Sequence, residues 1–187
     1  MNKAYLRGKL LVASPHLDDP NFYHTVVFVV LHNDEGAIGL VLNRPASATL
    51  EDALELLSDD SPAPSPGWSI GGPVEGPLMA LHADQLCREE EETLIDGVYF
   101  SLSPKNLQFL AQQSVAPSRF FKGYAGWAEG QLEDELQTGS WLVGDATLDD
   151  LFGSTWDLWD RVLRRIGFSI LSDALGGIER PTDPSCN

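Results

Sequence analysis

Between Gly8 and Pro45 the chain alternates apolar runs with short polar punctuation, and this spacing predicts its first elements. "GKLLVAS" (8–14) reads as a short buried strand and "PHLDDPNFYH" (15–24) as a turn-rich loop. "TVVFVVLHN" (25–33) is β-branched and aromatic along its length, the pattern of a strand covered on both faces. "NDEG" (33–36) supplies Asn and Asp for a tight turn and Gly36 for a positive φ, so "AIGLVLN" (37–43) returns as the partner strand of a hairpin. Pro45 ends that strand because proline has no N–H to give the ladder.

Further along, the apolar period changes. "TLEDALELL" (49–57) places Leu50, Ala53, Leu54 and Leu57 on one helical stripe behind Thr49, with Asp52 three positions on. A polar, proline-rich loop (58–67) follows, then two short strands around a glycine–proline corner in "WSIGGPVEGPLMALH" (68–82). "REEEE" (88–92) reads as a solvated loop and "LIDGVYFSLS" (94–103) as a strand. Ser103 and Pro104 then open a helix as its N-cap and first residue. "RFFKGYAGW" (119–127) predicts a strand, "EGQLEDELQTG" (129–139) a helix stopped by Gly139, and "SWLVG" (140–144) a strand. "STWDLWDRVLRRIG" (154–167) predicts a helix capped by Ser154 and ended at Gly167, with Asp157 in its first turn and Arg164 and Arg165 in its last. Strands outnumber helices and cluster in hairpins, which predicts an α+β fold on a curled, largely antiparallel sheet. No repeat is visible; residues 1–183 form one domain and 184–187 a frayed tail.

Charge narrows the function. Asp plus Glu number 28 against 12 Lys plus Arg, a net charge of −16. Such a chain repels a phosphate backbone, so direct nucleic-acid binding is disfavoured; the only close basic cluster is Arg161, Arg164 and Arg165. No apolar run is long enough for a membrane span, and Cys87 and Cys186 do not make a disulfide framework, which makes the cytoplasm the expected compartment. Phosphate-loop, dinucleotide, nucleophile-elbow and H-E-x-x-H motifs are missing from the sequence, and the glutamates after Cys87 disfavour a thiolate. No cofactor or metal is assigned.

The remaining chemistry lies in histidines and strand ends. Three of the four histidines occur as His-x-Asp, at His16, His32 and His82. These pairs read first as strand ends carrying turn-favouring residues; the alternative is a metal or acid–base site at one rim of the sheet. Asp19, His32, Asn43, Arg44 and His82 form the candidate polar cluster, with Arg44 expected to pair with a buried acid such as Asp19 and Asn43 to tie its strand end to a loop. The glycines of "GGPVEGP" (71–77) read as a β-corner rather than an anion cradle. Trp127, Trp141, Trp156 and Trp159 read as a core or its rim; the minority alternative is a solvent-open shelf, for which Tyr124 and Trp127 are the candidate partner surface.

Three stretches together resemble the AlgH/YqgE family of bacterial proteins: residues 8–45, "GGPVEGPLMALH" (71–82), and "GYAGWAEGQLEDEL" with "SWLV" (123–143). They cover about half of the chain in the family's order, with His16 and Ala128 departing from its usual residues. The resemblance implies a branched β-sheet rolled into a pseudo-barrel with flanking helices. It implies no established reaction; members are often labelled transcriptional regulators. The leading expectation is a non-enzymatic binding or regulatory module for a protein or small molecule. The alternatives are a hydrolase working from His32, His82 and Asp19, and a regulator acting on DNA directly.

Overall fold

Every strand among the described residues of the computed structural model (5–46, 68–83, 92–112 and 116–174) joins one sheet. In chain order the elements are β1 (Lys9–Ala13), β2 (Val26–Asn33), β3 (Gly36–Val41), β4 (Trp68–Ile70), β5 (Val74–His82), β6 (Glu92–Ile95), β7 (Val98–Ser101) and α1 (Pro104–Gln112). They continue as β8 (Ser118–Ala128), α2 (Gln131–Gln137), β9 (Trp141–Asp145), α3 (Leu148–Phe152) and α4 (Leu158–Ala174). The sheet order is β6-β7-β5-β8-β3-β2-β1-β9, with β4 beside β8. All pairings are antiparallel except β4 with β8. The fold is a single α+β domain whose sheet curls as a half-barrel.

The branch lies on β8. Its second half pairs with β3, from Gly39↔Ala125 to Gly36↔Ala128, while its first half pairs with β4 and β5. Beyond Gly39 the β3 chain leaves β8, and the β4 segment enters the gap: Val41 N–H donates to Gly71 O, Ile70 N–H to Arg44 O, and Gly71 N–H to Lys122 O. Such a crossing needs close backbones. A Cβ on Gly71 would fall inside the Gly123 carbonyl, and one on Gly72 inside the Tyr124–Ala125 peptide. The glycine pair is therefore a steric requirement of the branch. Arg119, beside it on β8, donates to Leu42 O, to Leu151 O (2.9 Å) and toward Ser69 Oγ (3.4 Å), and desolvation lowers its pKa to about 10.

The hairpin strands are buried on both faces, as their composition predicts. Leu10, Val12, Val26, Phe28, Leu40 and Leu42 face the larger cluster with Met79, Leu81 and Phe121, which α4 covers through Leu158, Val162 and Ile166. Leu11, Ala13, Val27, Val29 and Val41 face the other way, against Trp127, Leu132 and Trp141. A third cluster packs Leu107 and Leu110 of α1 on Leu78, Ala80 and Phe120.

Three sequence expectations need correction. The run 94–103 is a hairpin, not one strand: Ile95 pairs with Val98 across Asp96–Gly97, and Gly97 has φ 72°. The last helix starts at Leu158 rather than behind Ser154 and runs through Gly167 to Ala174, because an interior glycine costs a helix about 1 kcal/mol without ending it. Third, α3 was not anticipated, although Thr147 and Asp150 close a reciprocal capping box at its start. The expected helix at 49–57, both cysteines, Asp84 and the C-terminal tail lie outside the described residues.

Candidate functional site

The structure separates the polar residues singled out in the sequence. His32 pairs with Ala37, which in turn lies opposite Trp127 on β8; His82 pairs with Ser118, at the other end of the same strand. The two imidazoles stand nine β8 positions apart, or about 30 Å of strand. Each has its own setting. His32 is buried, accepts the Leu6 N–H at Nδ1 (3.0 Å), and has Nε2 3.4 Å from Glu133 Oε1. His82 is fully buried against the Tyr99 ring, with centroids 5.5 Å apart. His16 is exposed on the 14–25 loop. The histidines do not form the shared site that the hydrolase and metal readings need, and among the described residues no three His, Cys, Asp or Glu side chains come together to hold a metal.

Asn43, Arg44 and Asp19 collect at the opposite end of the hairpin from His32. Asn43 accepts from Val26 N–H (3.0 Å) and donates to His24 O (2.8 Å), tying the strand end to the loop through its amide. Arg44 does not pair with Asp19: it donates to Tyr23 O (2.8 Å), while Asp19 Oδ1 accepts Asn21 N–H (2.7 Å) in a turn of its own. Asp19 is exposed and turn-forming, so no buried acid is there to attract the guanidinium. The chain at this loop carries a feature absent from the sequence reading. His24 has φ 53°, and its ring is sandwiched between Tyr23 and Trp159, with centroids 3.8 Å from each.

Trp127 is buried rather than part of a solvent-open shelf. It is 5% exposed, and its indole N–H donates to Glu135 Oε2 at 2.8 Å. Trp141 donates to the same oxygen at 2.7 Å, and Gln131 Nε2 donates to Oε1 at 2.9 Å. One turn of α2 separates Gln131 from Glu135, so the helix presents both to the indoles of β8 and β9. This accounts for the grouping of Trp127, Gln131, Glu135 and Trp141 in the sequence.

Tyr124, the other surface candidate, lines a cavity of about 460 Å³ on the opposite side of β8. Its walls are Val30, Leu31 and Ile38 from the hairpin, Pro77 and Met79 from β5, and Phe100 and Leu102 from β7 and beyond. The ring of Tyr124 fits beside Gly76, where a Cβ would stand 2.9 Å from Cδ1. Leu31 and Leu102 are exposed at the mouth. Its polar groups are Ser101, at the end of β7, Ser103, just before α1, and Glu92, whose carboxylate meets Arg7 at 2.8 Å. The arrangement offers a mostly apolar surface with a few polar groups at its edge. The apolar lining residues carry no motif, and of them only Tyr124 is a candidate from the sequence.

The basic cluster of the sequence is largely neutralised. Arg165 makes two bonds to the buried Asp150 carboxylate, at 3.0 and 2.7 Å, and Arg161 pairs with Asp157 at 2.8 Å and Asp149 at 3.5 Å. Among the described residues no helix is long and apolar enough to cross a membrane.

A family model described as AlgH-like matches residues 10–171. A UPF0301 protein of Chlorobaculum parvum is 36% identical over 166 residues, covering 86% of each chain, and one of Thermobifida fusca is 36% identical over 199 residues, covering 100% of this chain and 98% of its own. The solution structure of the AlgH protein from Pseudomonas aeruginosa superposes with a TM-score of 0.76 at 32% identity, covering 97% of this chain and 98% of that one. A crystal structure from Corynebacterium diphtheriae shares the fold at 21% identity, with a TM-score of 0.70.

Proposed function

The chain belongs to the AlgH-like family, and we propose that it is a non-enzymatic, cytoplasmic binding module whose cavity beside Tyr124 takes a small, mostly apolar molecule. The observation that carries this reading is the cavity itself. It falls within the range of roughly 300–1,000 Å³ usual for ligand sites, and apolar side chains with a few polar groups are the usual lining of such sites. It is built where three family-like stretches meet: Leu31 and Ile38 from residues 8–45, Pro77 and Met79 from 71–82, and Tyr124 from 123–143. A ligand would bury its apolar body against Met79, Phe100 and Tyr124 and leave its polar end toward Ser103.

The test is methyl-detected NMR titration with a panel of neutral aromatic and aliphatic fragments. Saturable shifts should concentrate on the Val30, Leu31, Ile38 and Met79 methyls, and Leu31→Trp, which fills the mouth, should weaken binding by tenfold or more. Shifts scattered over other surfaces, or unchanged affinity in Leu31→Trp, would exclude the cavity as the site.

A further inference from the structure

We propose that residues 5–8 are a pH-sensitive latch: neutral His32 holds this segment across the seam of the half-barrel, and protonation of the imidazole releases it. The latch borders one edge of the cavity and stands whatever that cavity takes.

Two parts of the curled sheet meet at this segment. Gly8 N–H donates to Val29 O of β2 at 2.8 Å, and a Cβ on Gly8 would stand 2.9 Å from Leu94 O of β6. Arg7 carries the segment onto β6, with bonds to the Glu92 carboxylate (2.8 Å) and to Thr93 O (3.3 Å). Strands β2 and β6 are not neighbours in the sheet order, so Arg7 and Gly8 bridge the gap between them. Leu31 of β2 and Glu92 of β6 line the cavity from the two sides of this seam.

The other end of the segment is held by a group that titrates. Leu6 N–H donates to Nδ1 of the buried His32 at 3.0 Å, and the Tyr5 ring meets the imidazole at 84°, with centroids 5.5 Å apart. An imidazole accepts only through an unprotonated nitrogen, so this bond fixes the neutral ring with its hydrogen on Nε2. A second proton must go to Nδ1, where it sets one donor against another. The latched segment therefore holds one proton fewer than the released one. Latching is complete above the range in which imidazoles titrate and is lost as pH falls through it. The surroundings of the ring decide which part moves. Among the described residues it faces Glu133 of α2, with Oε1 3.4 Å from Nε2, and the phenol of Tyr5. The adjacent positions of β3 and β8 are the uncharged Ala37 and Trp127, and Asp34 and Glu35 in the turn after β2 are exposed. Glu133 attracts an imidazolium and keeps the ring in place, so the segment leaves and the ring stays.

The experiment is amide hydrogen exchange of the full chain, read by NMR from about pH 7.5 to about pH 5 and corrected for the intrinsic pH dependence of exchange. Protection of the Leu6 and Gly8 amides should fall about tenfold or more over this range, the slope of a single proton. The fall should keep step with protonation of His32 Nδ1, read from the imidazole nitrogen shifts, while Phe28 in the core keeps its protection. His32→Asn retains an acceptor near the δ position and does not titrate, so its Leu6 protection should stay flat. Where that buried change unfolds the chain, Glu133→Gln takes its place: it removes the charge that favours the imidazolium, and release should move to lower pH. Constant Leu6 protection in the parent, or its loss together with that of Phe28, would overturn the proposal. So would pH-dependent Leu6 protection in folded His32→Asn, or an unmoved transition in Glu133→Gln.

Discussion

Glu135 receives the indole N–H groups of Trp127 and Trp141 on a single oxygen, and replacing it tests whether that clamp holds α2 and β9 to the sheet. The two rings are 5% and 4% exposed, so Glu135→Ala would leave both donors without an acceptor in a site that water enters poorly. A hydrogen bond to a charged group contributes about 1.5–3 kcal/mol, and a stranded buried donor costs a similar amount. Glu135 is itself only half-buried, so water should reach one indole after truncation. The expected loss is therefore about 2–4 kcal/mol rather than the full sum. Glu135→Gln keeps the shape and one acceptor oxygen, but turns an amide N–H₂ toward the Gln131 donor; about 1 kcal/mol is expected. Urea unfolding at neutral pH, followed by tryptophan fluorescence and near-ultraviolet circular dichroism, reads both values and reports the two indoles directly. A loss below about 1 kcal/mol in Glu135→Ala would refute the clamp, since surface changes fall near 0.5 kcal/mol. Equal losses in the two variants would show that charge, not shape, is what the indoles need.

Two further outcomes follow from the same kind of reasoning. Asp150 is buried, which opposes its charge, yet Arg165 and Thr147 bond to the carboxylate strongly enough to lower its pKa from 3.8. Its contribution should be complete above that ordinary value and lost as pH falls through the lower folded one; Asp150→Asn should lack this acid-side slope in a series of thermal melts, and Asp150→Ala should cost about 3 kcal/mol at neutral pH by stranding Arg165. At the hairpin end, Asn43→Ala should cost about 2 kcal/mol for two lost backbone ties and Arg44→Ala no more than about 1 kcal/mol. The Arg44→Ala/Asp19→Ala cycle should show coupling below about 0.5 kcal/mol; a larger value would restore the ion pair that the structure lacks.

Local chemistry made the β2–β3 hairpin legible: β-branched runs flank a turn whose residues suit it. The same logic was available for β6–β7, because Asp96–Gly97 is a two-residue hairpin signal, but the apolar letters on either side made 94–103 look continuous. Helix α3 is too short to show a stripe, and only its capping residues betray it. The branch has no local signal, since β4 meets β8 across about fifty residues of chain and nothing in "WSI" specifies a parallel partner. What the sequence does hold is the pair Gly71–Gly72, whose meaning becomes steric only once Gly123 lies beside it.

The functional surfaces were harder to read because sequence reasoning follows polar residues. Asn43 and His32 are used here to satisfy backbone groups, a structural task that a strand end in any protein requires. The cavity residues Leu31, Ile38, Met79 and Phe100 have the letters of a core, and only the curl of the sheet decides that they face an opening. The exposure of Trp156 has no local signal either. Leu158, Val162 and Ile166 define the buried stripe of α4. Trp156 precedes that helix, in the turn before Leu158, where no helical period assigns its side. Of the two tryptophans of this stretch, only Trp159, which donates to Ala13 O and stacks on His24, meets the expectation of a core or its rim; Trp156 stands in solvent.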